Sequence, residues 1–323
     1  MSTKTIHSKI YPDKVYYTYN PEEKILGMGG MGIVYYGKRY DEKGNIAEVA
    51  IKVMKEDLPK EVIERAQRES SILIKNDHLV MMYEFVSEDD TNDAGQKITR
   101  NYVISEFLHG VTLGDLIRGG RSGLLLTKEQ KSLYDRLCFT DKEKAASEIV
   151  MGVLSGVMAL HDSGYIHRDI DPSNIMITTD CKVKLFDFGI AKKWNTLNSM
   201  DTGLTSSGQF LGKAAYAAPE IVKGDIKNQG KFSDVYAIGI LYFLLITGHL
   251  PFSGTTYEKM DAQLHKRIPY EQIPNLRIRN IIRKATEKKQ SKRYPSSAHF
   301  RAAIEDIDFT NKSRLSWWQR IFM

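Results

Sequence analysis

Near one end of the chain, Gly27-Met-Gly29-Gly30-Met-Gly32-Ile-Val34 spaces its glycines as G-x-G-x-x-G-x-V. Backbone without side chains can lie close over phosphate groups, and a dinucleotide-binding turn shares the first half of this pattern. That turn opens a helix after its last glycine. Here Ile33, Val34, Tyr35 and Tyr36 follow, residues that favour strand. The glycines are therefore expected at a hairpin tip. A phosphate cradle and an ordinary glycine turn both fit the pattern taken alone.

Val49-Ala-Ile-Lys52 ends an apolar strand on a lysine. Such a lysine is most often a solvated strand end. A helical pattern follows over residues 59–75, with Val62, Ala66, Leu73 and Ile74 at helical spacing. Glu69 lies three residues after Ala66 and four before Leu73, on the apolar stripe. A carboxylate buried there without a cation is costly, and Lys52 is its natural partner. Glu64 competes for that role but falls away from the stripe.

Three further groups come later: His167-Arg-Asp-Ile-Asp-Pro-Ser-Asn174 after a long apolar helix, Asp187-Phe-Gly189 after a short apolar strand, and Ala218-Pro-Glu220 closing a Ser/Thr-rich stretch. Any one occurs by chance; all of them, in this order and on suitable elements, do not.

The elements that must position these residues change character along the chain. Up to about residue 107, strand patterns dominate, at 15–19, 33–40, 48–54, 79–86 and 101–107, interrupted by the one helix. After Gly110 the pattern turns helical, most clearly over 145–162 and 233–247, with short strand-like pieces at 175–178 and 183–186. Residues 87–100, 118–137 and 192–212 read as mobile loops or insertions, the first of them lengthening a hairpin.

Composition narrows the setting. The chain has 323 residues, 46 Lys and Arg against 40 Asp and Glu, and a net charge of +6. No basic arm appears, so nucleic-acid binding is not expected. Cys138 and Cys181 have no metal-ligand spacing and fit a reducing, cytoplasmic setting. The polar N-terminus does not read as a secretory signal. The apolar runs 149–160 and 235–247 fall short of a bilayer span and are expected as buried core helices.

Together these motifs resemble the eukaryotic-type, or Hanks-type, serine/threonine protein kinases, and the Gly29 to Tyr35 form of the loop is similar to their bacterial members. The resemblance covers about residues 19–306. It implies an α+β, bilobal fold, with a small β-rich N-lobe carrying one helix and a larger, mainly helical C-lobe. The N-lobe would span about 19–107, the hinge 106–110 and the C-lobe 111–306, with an extension at 1–18 and a short tail at 307–323.

The resemblance also implies roles. ATP, with Mg2+ or Mn2+, would be the phosphate donor. Gly27, Gly29 and Gly32 would cover its phosphates, and Lys52, oriented by Glu69, would hold them. Leu26, Val34, Ala50 and Met176 would enclose the adenine; Ser105 would be the gatekeeper, leaving a roomy back pocket, and Glu106 to Leu108 the adenine-contacting strand. Asp169 would take or orient the substrate hydroxyl proton, and Asn174 and Asp187 would ligate the metal. Leu73, Met82, His167 and Phe188 resemble the apolar stack of active kinases. Glu220 and Arg293 resemble the ion pair tying the activation segment to the lower lobe. Asp234 matches the buried aspartate opening a core helix, although helix-start acids are also favoured by the dipole.

One position departs from the family. Its serine/threonine members carry lysine two residues after the catalytic aspartate, where this chain has Asp171. They also carry threonine where this chain has Lys213. The two positions are expected to touch, so Lys213 would supply the cation and Asp171 hold it. The alternative is two independent losses in a weak or inactive kinase that acts as an ATP-binding scaffold. Arg168 is expected to pair with a phosphorylated loop residue, for which Thr205 and Ser207 are the candidates and Thr202 and Ser206 the neighbours. The expected partners are protein substrates and a second copy of the chain in trans. Trp317, Trp318 and Arg320 suit either contact with a membrane surface or packing on the protein's own helical lobe.

Overall fold

The computed structural model describes residues 3–23, 25–92, 95–122, 142–187, 192–193, 213–307 and 309, without the side chains of 65, 69, 120–122, 192–193 and 226. The N-terminal lobe is an antiparallel sheet built from β1 (Lys4–His7), β2 (Tyr16–Tyr19), β3 (Ile25–Gly29), β4 (Gly32–Tyr40) and β5 (Ile46–Met54). Helix α1 (Lys60–Ser70) follows, then β6 (Met82–Thr91) and β7 (Lys97–Glu106). The strand order is β1-β2-β4-β5-β7-β6, with β3 also pairing β4.

Strand side chains alternate between faces, and this sheet uses both. Val49, Ile51, Tyr102 and Ile104 point into a closed cluster with Ile6, Val15, Tyr17, Tyr19 and Val86. Their neighbours Ala50, Lys52, Val103 and Ser105 line the cleft between the lobes. The segment 1–18, read as an extension, thus supplies β1 and most of β2 to the lobe's own core. Side chains of β6 close the sheet onto it. Glu84 accepts from Tyr17 Oη at 2.6 Å and from the Lys9 backbone N–H at 2.9 Å, and Glu88 accepts from the His7 N–H at 3.0 Å.

The C-terminal lobe holds β8 (Gly110–Thr112), α2 (Leu113–Ser122), α3 (Lys142–Asp162), β9 (Tyr165–Ile166), β10 (Ile175–Thr178), β11 (Val183–Leu185) and β12 (Lys192–Lys193). Helices α4 (Pro219–Val222), α5 (Lys231–Thr247), α6 (Thr256–His265), α7 (Leu276–Ala285) and α8 (Ser297–Glu305) complete it. Helix α5 is buried nearly all round, as its unbroken apolar run requires. Gly156 of α3 faces the lobe junction: a Cβ there would sit 2.6 Å from the His78 carbonyl oxygen. That close approach lets the chain after α1 bond β11, with Leu185 N–H to His78 O and Val80 N–H to Leu185 O, both at 2.9 Å. No helix among the described residues is long and apolar enough to cross a membrane.

Two sequence expectations are corrected here. Residues 87–100 do lengthen a hairpin, as expected, but as paired strand rather than loop. They extend β6 and β7 into a long hairpin, paired from Ser87–Asn101 to Thr91–Lys97. Polar cross-strand contacts replace apolar ones: Arg100 Nε lies 2.7 Å from Asp90, and Ser87 Oγ 2.6 Å from Asn101. The first helix also ends at Ser70 rather than near residue 75. Ser70 and Ser71 turn their hydroxyls onto the Ala66 and Arg68 carbonyls, a bonding that competes with helix continuation, and β-branched Ile72 and Ile74 follow. Leu73 consequently lies outside the helix, 64 % exposed, and takes no part in an apolar stack.

Candidate active site

Between the lobes lies a cleft of about 920 Å³. Its upper wall is Leu26, Gly27, Val34, Ala50 and Lys52; its back is Val80, Met82, Val103 and Ser105; its floor is Ser173, Met176, Phe186 and Asp187. The Glu106–His109 connection borders it, so the expected adenine-side residues share one cavity.

The glycine hairpin divides into two kinds of glycine. A Cβ on Gly32 would lie 2.1 Å from the Val53 carbonyl oxygen, so this glycine is required by the packing of β4 on β5. At Gly27, Gly29 and Gly30 a Cβ would meet nothing within 4 Å. Their bareness answers no need of the protein's own packing, whereas a bound polyphosphate would use it.

The turn that carries His167 and Arg168 is hung from one buried carboxylate. Asp234, 1 % exposed at the start of α5, accepts from the His167 N–H (Oδ2) and the Arg168 N–H (Oδ1), both at 2.9 Å, and from His161 Nε2 at 2.8 Å. This is more than a helix-dipole placement requires. Burial by itself would raise its pKa, but His161 and the backbone donors outweigh burial and hold it below the ordinary carboxylate range. Arg168 takes φ +70° and Asp187 φ +59°, left-handed conformations that cost energy for residues with a Cβ and concentrate at functional sites. His167 is fully buried, and burial lowers its pKa, so the ring is held neutral.

Beyond this turn, Asn174 Nδ2 donates to the Asp169 carbonyl at 2.9 Å and to its carboxylate Oδ2 at 3.0 Å. Burial, then the neighbouring Asp171 carboxylate, push the Asp169 pKa up to about 6, against the opposing pull of Lys213. Asp171 is 2 % exposed and caps the turn Pro172–Asn174, accepting the Ser173 N–H at 2.6 Å through Oδ1. Its other oxygen lies 2.6 Å from Lys213 Nζ. This contact is an ion pair off the hydrogen-bond line, while the Lys213 ammonium donates to Ser173 Oγ. Asp169, Arg168 and Lys213 also line one small cavity under the loop.

Lys213 is held from below. Its carbonyl accepts the Tyr216 N–H at 2.9 Å, and Gln263 Nε2 donates to the Ala215 carbonyl at 2.6 Å. Just beyond, Glu220 forms a buried two-pronged pair with Arg293 at 2.8 and 3.0 Å. Burial alone would raise the Glu220 pKa, but Arg293 brings it below the usual range.

The structure thus gathers Lys52, Ser105 and Asp187 on the cleft, and Asp169, Asp171, Asn174 and Lys213 around one turn. Gly29 and Gly32 stand at the hairpin tip. Glu69 sits in the last turn of α1, but its side chain, like Phe188, Thr202, Thr205, Ser206, Ser207 and the tail at 310–323, lies outside the described residues. Two contributors escaped the sequence reading. Ser173 lines the cleft and receives Lys213, and its place inside the motif was the available signal. His161, buried in the last turn of α3, gave none beyond a histidine in an apolar helix.

A family model described as the protein kinase domain matches residues 20–317. The chain belongs to this family. Relatives carry matching names. The probable serine/threonine-protein kinase PknB of Lactococcus lactis is 31% identical over 84% of this chain and 39% of its own length. The serine/threonine-protein kinase PrkC of Bacillus subtilis is 30% identical over 91% and 41% respectively. The kinase PknA of Corynebacterium glutamicum is 29% identical over 88% and 55%. The chain thus spans about two fifths of the length of the first two; the family-model match begins at residue 20, just after the hairpin formed by β1 and β2.

Proposed function

We propose that this chain is a serine/threonine protein kinase that moves the γ-phosphate of ATP onto hydroxyl groups of proteins, with Lys213 supplying the cation usually carried by the catalytic loop. The observation that carries the reading is the 2.6 Å contact of Lys213 with the buried Asp171, beside an Asp169 whose pKa is raised to about 6. The relatives' names support the reaction class.

The chain's own residues divide the work as follows. Gly27, Gly29 and Gly30 leave the hairpin open to phosphates, and Lys52 neutralises them from the cleft wall. Asn174 and Asp187 would hold Mg2+ or Mn2+ through two protein oxygens, leaving further positions to phosphate oxygens and water. The metal, when bound, offsets charge on the phosphates. With both Asn174 Nδ2 bonds spent on Asp169, its Oδ1, which also accepts from Ser173 Oγ at 3.3 Å, is the atom left for that task. Asp169, with a pKa near working pH, is ionised yet basic enough to take the hydroxyl proton. Asp171 and Ser173 steer the Lys213 ammonium, whose charge would meet that gathering on the transferred group.

Protein substrates, and a second copy of the chain phosphorylated in trans at Thr205 or Ser207, are the partners this reading names. The test is transfer from labelled ATP by the purified chain with magnesium, followed by mass mapping. We expect phosphoserine or phosphothreonine, abolished in Asp169→Asn. ATP binding without transfer would favour the scaffold reading, and transfer surviving in Asp169→Asn would overturn the role given to Asp169.

A further inference from the structure

The charge of this chain is unevenly placed. Between Lys259 and Arg293 stand eleven lysines and arginines against three aspartates and glutamates, a net +8, while the whole chain carries +6. Everything outside that stretch is therefore slightly acidic. The fold gathers part of this excess around a concave site of about 420 Å³, between the end of α6 and the end of α7. Lys266, Arg267, Arg283 and Lys288 line it, with Glu287 as the carboxylate on its wall.

Cations at helix C-termini need no ligand to explain them, because each helix end carries roughly half a negative charge. Here both α6 and α7 end at the site. Two such half-charges and Glu287 offset about two of the four cations. An excess of about two positive charges remains, the charge of one phosphate group. None of the four forms an ion pair with a carboxylate among the described residues, in contrast to Arg293 nearby.

Lys288 makes the point most sharply. It donates to Gln263 O at 2.6 Å and Tyr236 Oη at 3.0 Å, both neutral, and stands over the rings of Phe252 and Tyr236. Burial and Arg293 push its pKa down to about 8, as expected of a cation lacking a counter-charge. The site is concave, with Ile268 and Tyr270 on its wall, which suits an inserted side chain better than a flat lipid surface.

We propose that the groove between the ends of α6 and α7 docks a phosphorylated side chain of an acidic protein segment, with Lys266, Arg267 and Arg283 at its mouth and Lys288 at its base. Its lining shares no residue with that of the catalytic cleft, so its occupant would be held by the kinase without being the group under reaction.

The experiment reads fluorescence anisotropy of a labelled peptide, Glu-Asp-phosphoThr-Glu-Asp, and its unphosphorylated twin, on the full chain. No ATP is present, so failure here leaves the catalytic reading standing, and the reverse. We expect the phosphopeptide to bind more tightly than its twin and to weaken steeply with salt. The exposed-residue variant Lys266→Glu/Arg267→Glu/Arg283→Glu should lose at least about tenfold in affinity. A remote variant of equal charge change, Lys43→Glu/Lys60→Glu/Lys97→Glu, should lose far less. Absence of binding at low salt, equal loss in both variants, or no preference for phosphate overturns the proposal. So does a groove variant that loses only its sedimentation with phosphatidylglycerol vesicles, which would assign the surface to a membrane. Circular dichroism melting of both variants verifies that they fold.

Discussion

Lys213→Ala tests the central geometry most directly. Lys213 is 47 % exposed, whereas its partner Asp171 is 2 % exposed. Removing one member of a fully buried pair costs about 3–5 kcal/mol, and a fully exposed pair is worth about 0–1 kcal/mol. A half-exposed lysine on a buried carboxylate falls between, at about 2 kcal/mol, since Asp171 keeps its bond from the Ser173 N–H. For a chain of this size that lowers Tm by only several degrees. The catalytic effect should be larger, because losing one donor aimed at developing charge costs about 100- to 1,000-fold in kcat. The pH profile gives an independent readout. Lys213 lowers the Asp169 pKa, so without it the carboxylate holds its proton to higher pH, and the acid limb of kcat/KM should move up from about 6. Asp171→Asn removes the opposing carboxylate and should move that limb down. The charge-restoring double variant Asp171→Lys/Lys213→Thr should recover activity to within about tenfold of wild type. Stopped-flow or steady-state transfer assays on these variants, with melting curves alongside, decide the matter. A Lys213→Ala enzyme with unchanged kcat, or a double variant no better than Asp171→Lys alone, would show that the pair is packing and not machinery.

Other consequences are simpler to read. Gly32→Ala places a Cβ against the Val53 carbonyl and should lower Tm, whereas Gly29→Ala, which meets nothing in the protein, should leave Tm alone and raise KM for ATP. Arg293→Ala strands the buried Glu220 and should cost about 3–5 kcal/mol in urea unfolding. Glu220 and Asp234 both have pKa values depressed by folding. Their stabilisation is present above the ordinary carboxylate range and should disappear as pH falls through and below about 4, which melting from pH 7 to pH 3 would track. Ile6→Ala, at a fully buried position of the first strand, should cost about 2–4 kcal/mol, although it lies before the matched kinase region.

Much of this was legible in the sequence because it depends on local pattern. The alternation at Val49-Ala-Ile-Lys52 already put Lys52 and Val49 on opposite faces of a strand. The apolar run ahead of His167 already demanded a buried helix. The exchange of Lys and Thr for Asp171 and Lys213 was visible as two linked changes. The misreadings came where local pattern was ambiguous. Residues 87–100 were legible as a hairpin extension, but their polarity suggested loop where the two strands stay paired out to Thr91–Lys97. Leu73 keeps helical spacing from Ala66, but two serines ended the helix before it.

What the sequence determined by itself was therefore the reaction class it resembles, the order of its elements and the identity of the charged groups. Beyond the Asp171–Lys213 and Glu220–Arg293 pairs that the resemblance implied, tertiary structure decided which of those groups meet. Asp234 lies more than sixty residues from the backbone it suspends, Ser173 forty from Lys213, and the cations of the basic groove come from two helix ends. Contacts of this kind depend on how helices and strands pack, and packing is set by the whole set of buried side chains and not by spacing along the chain.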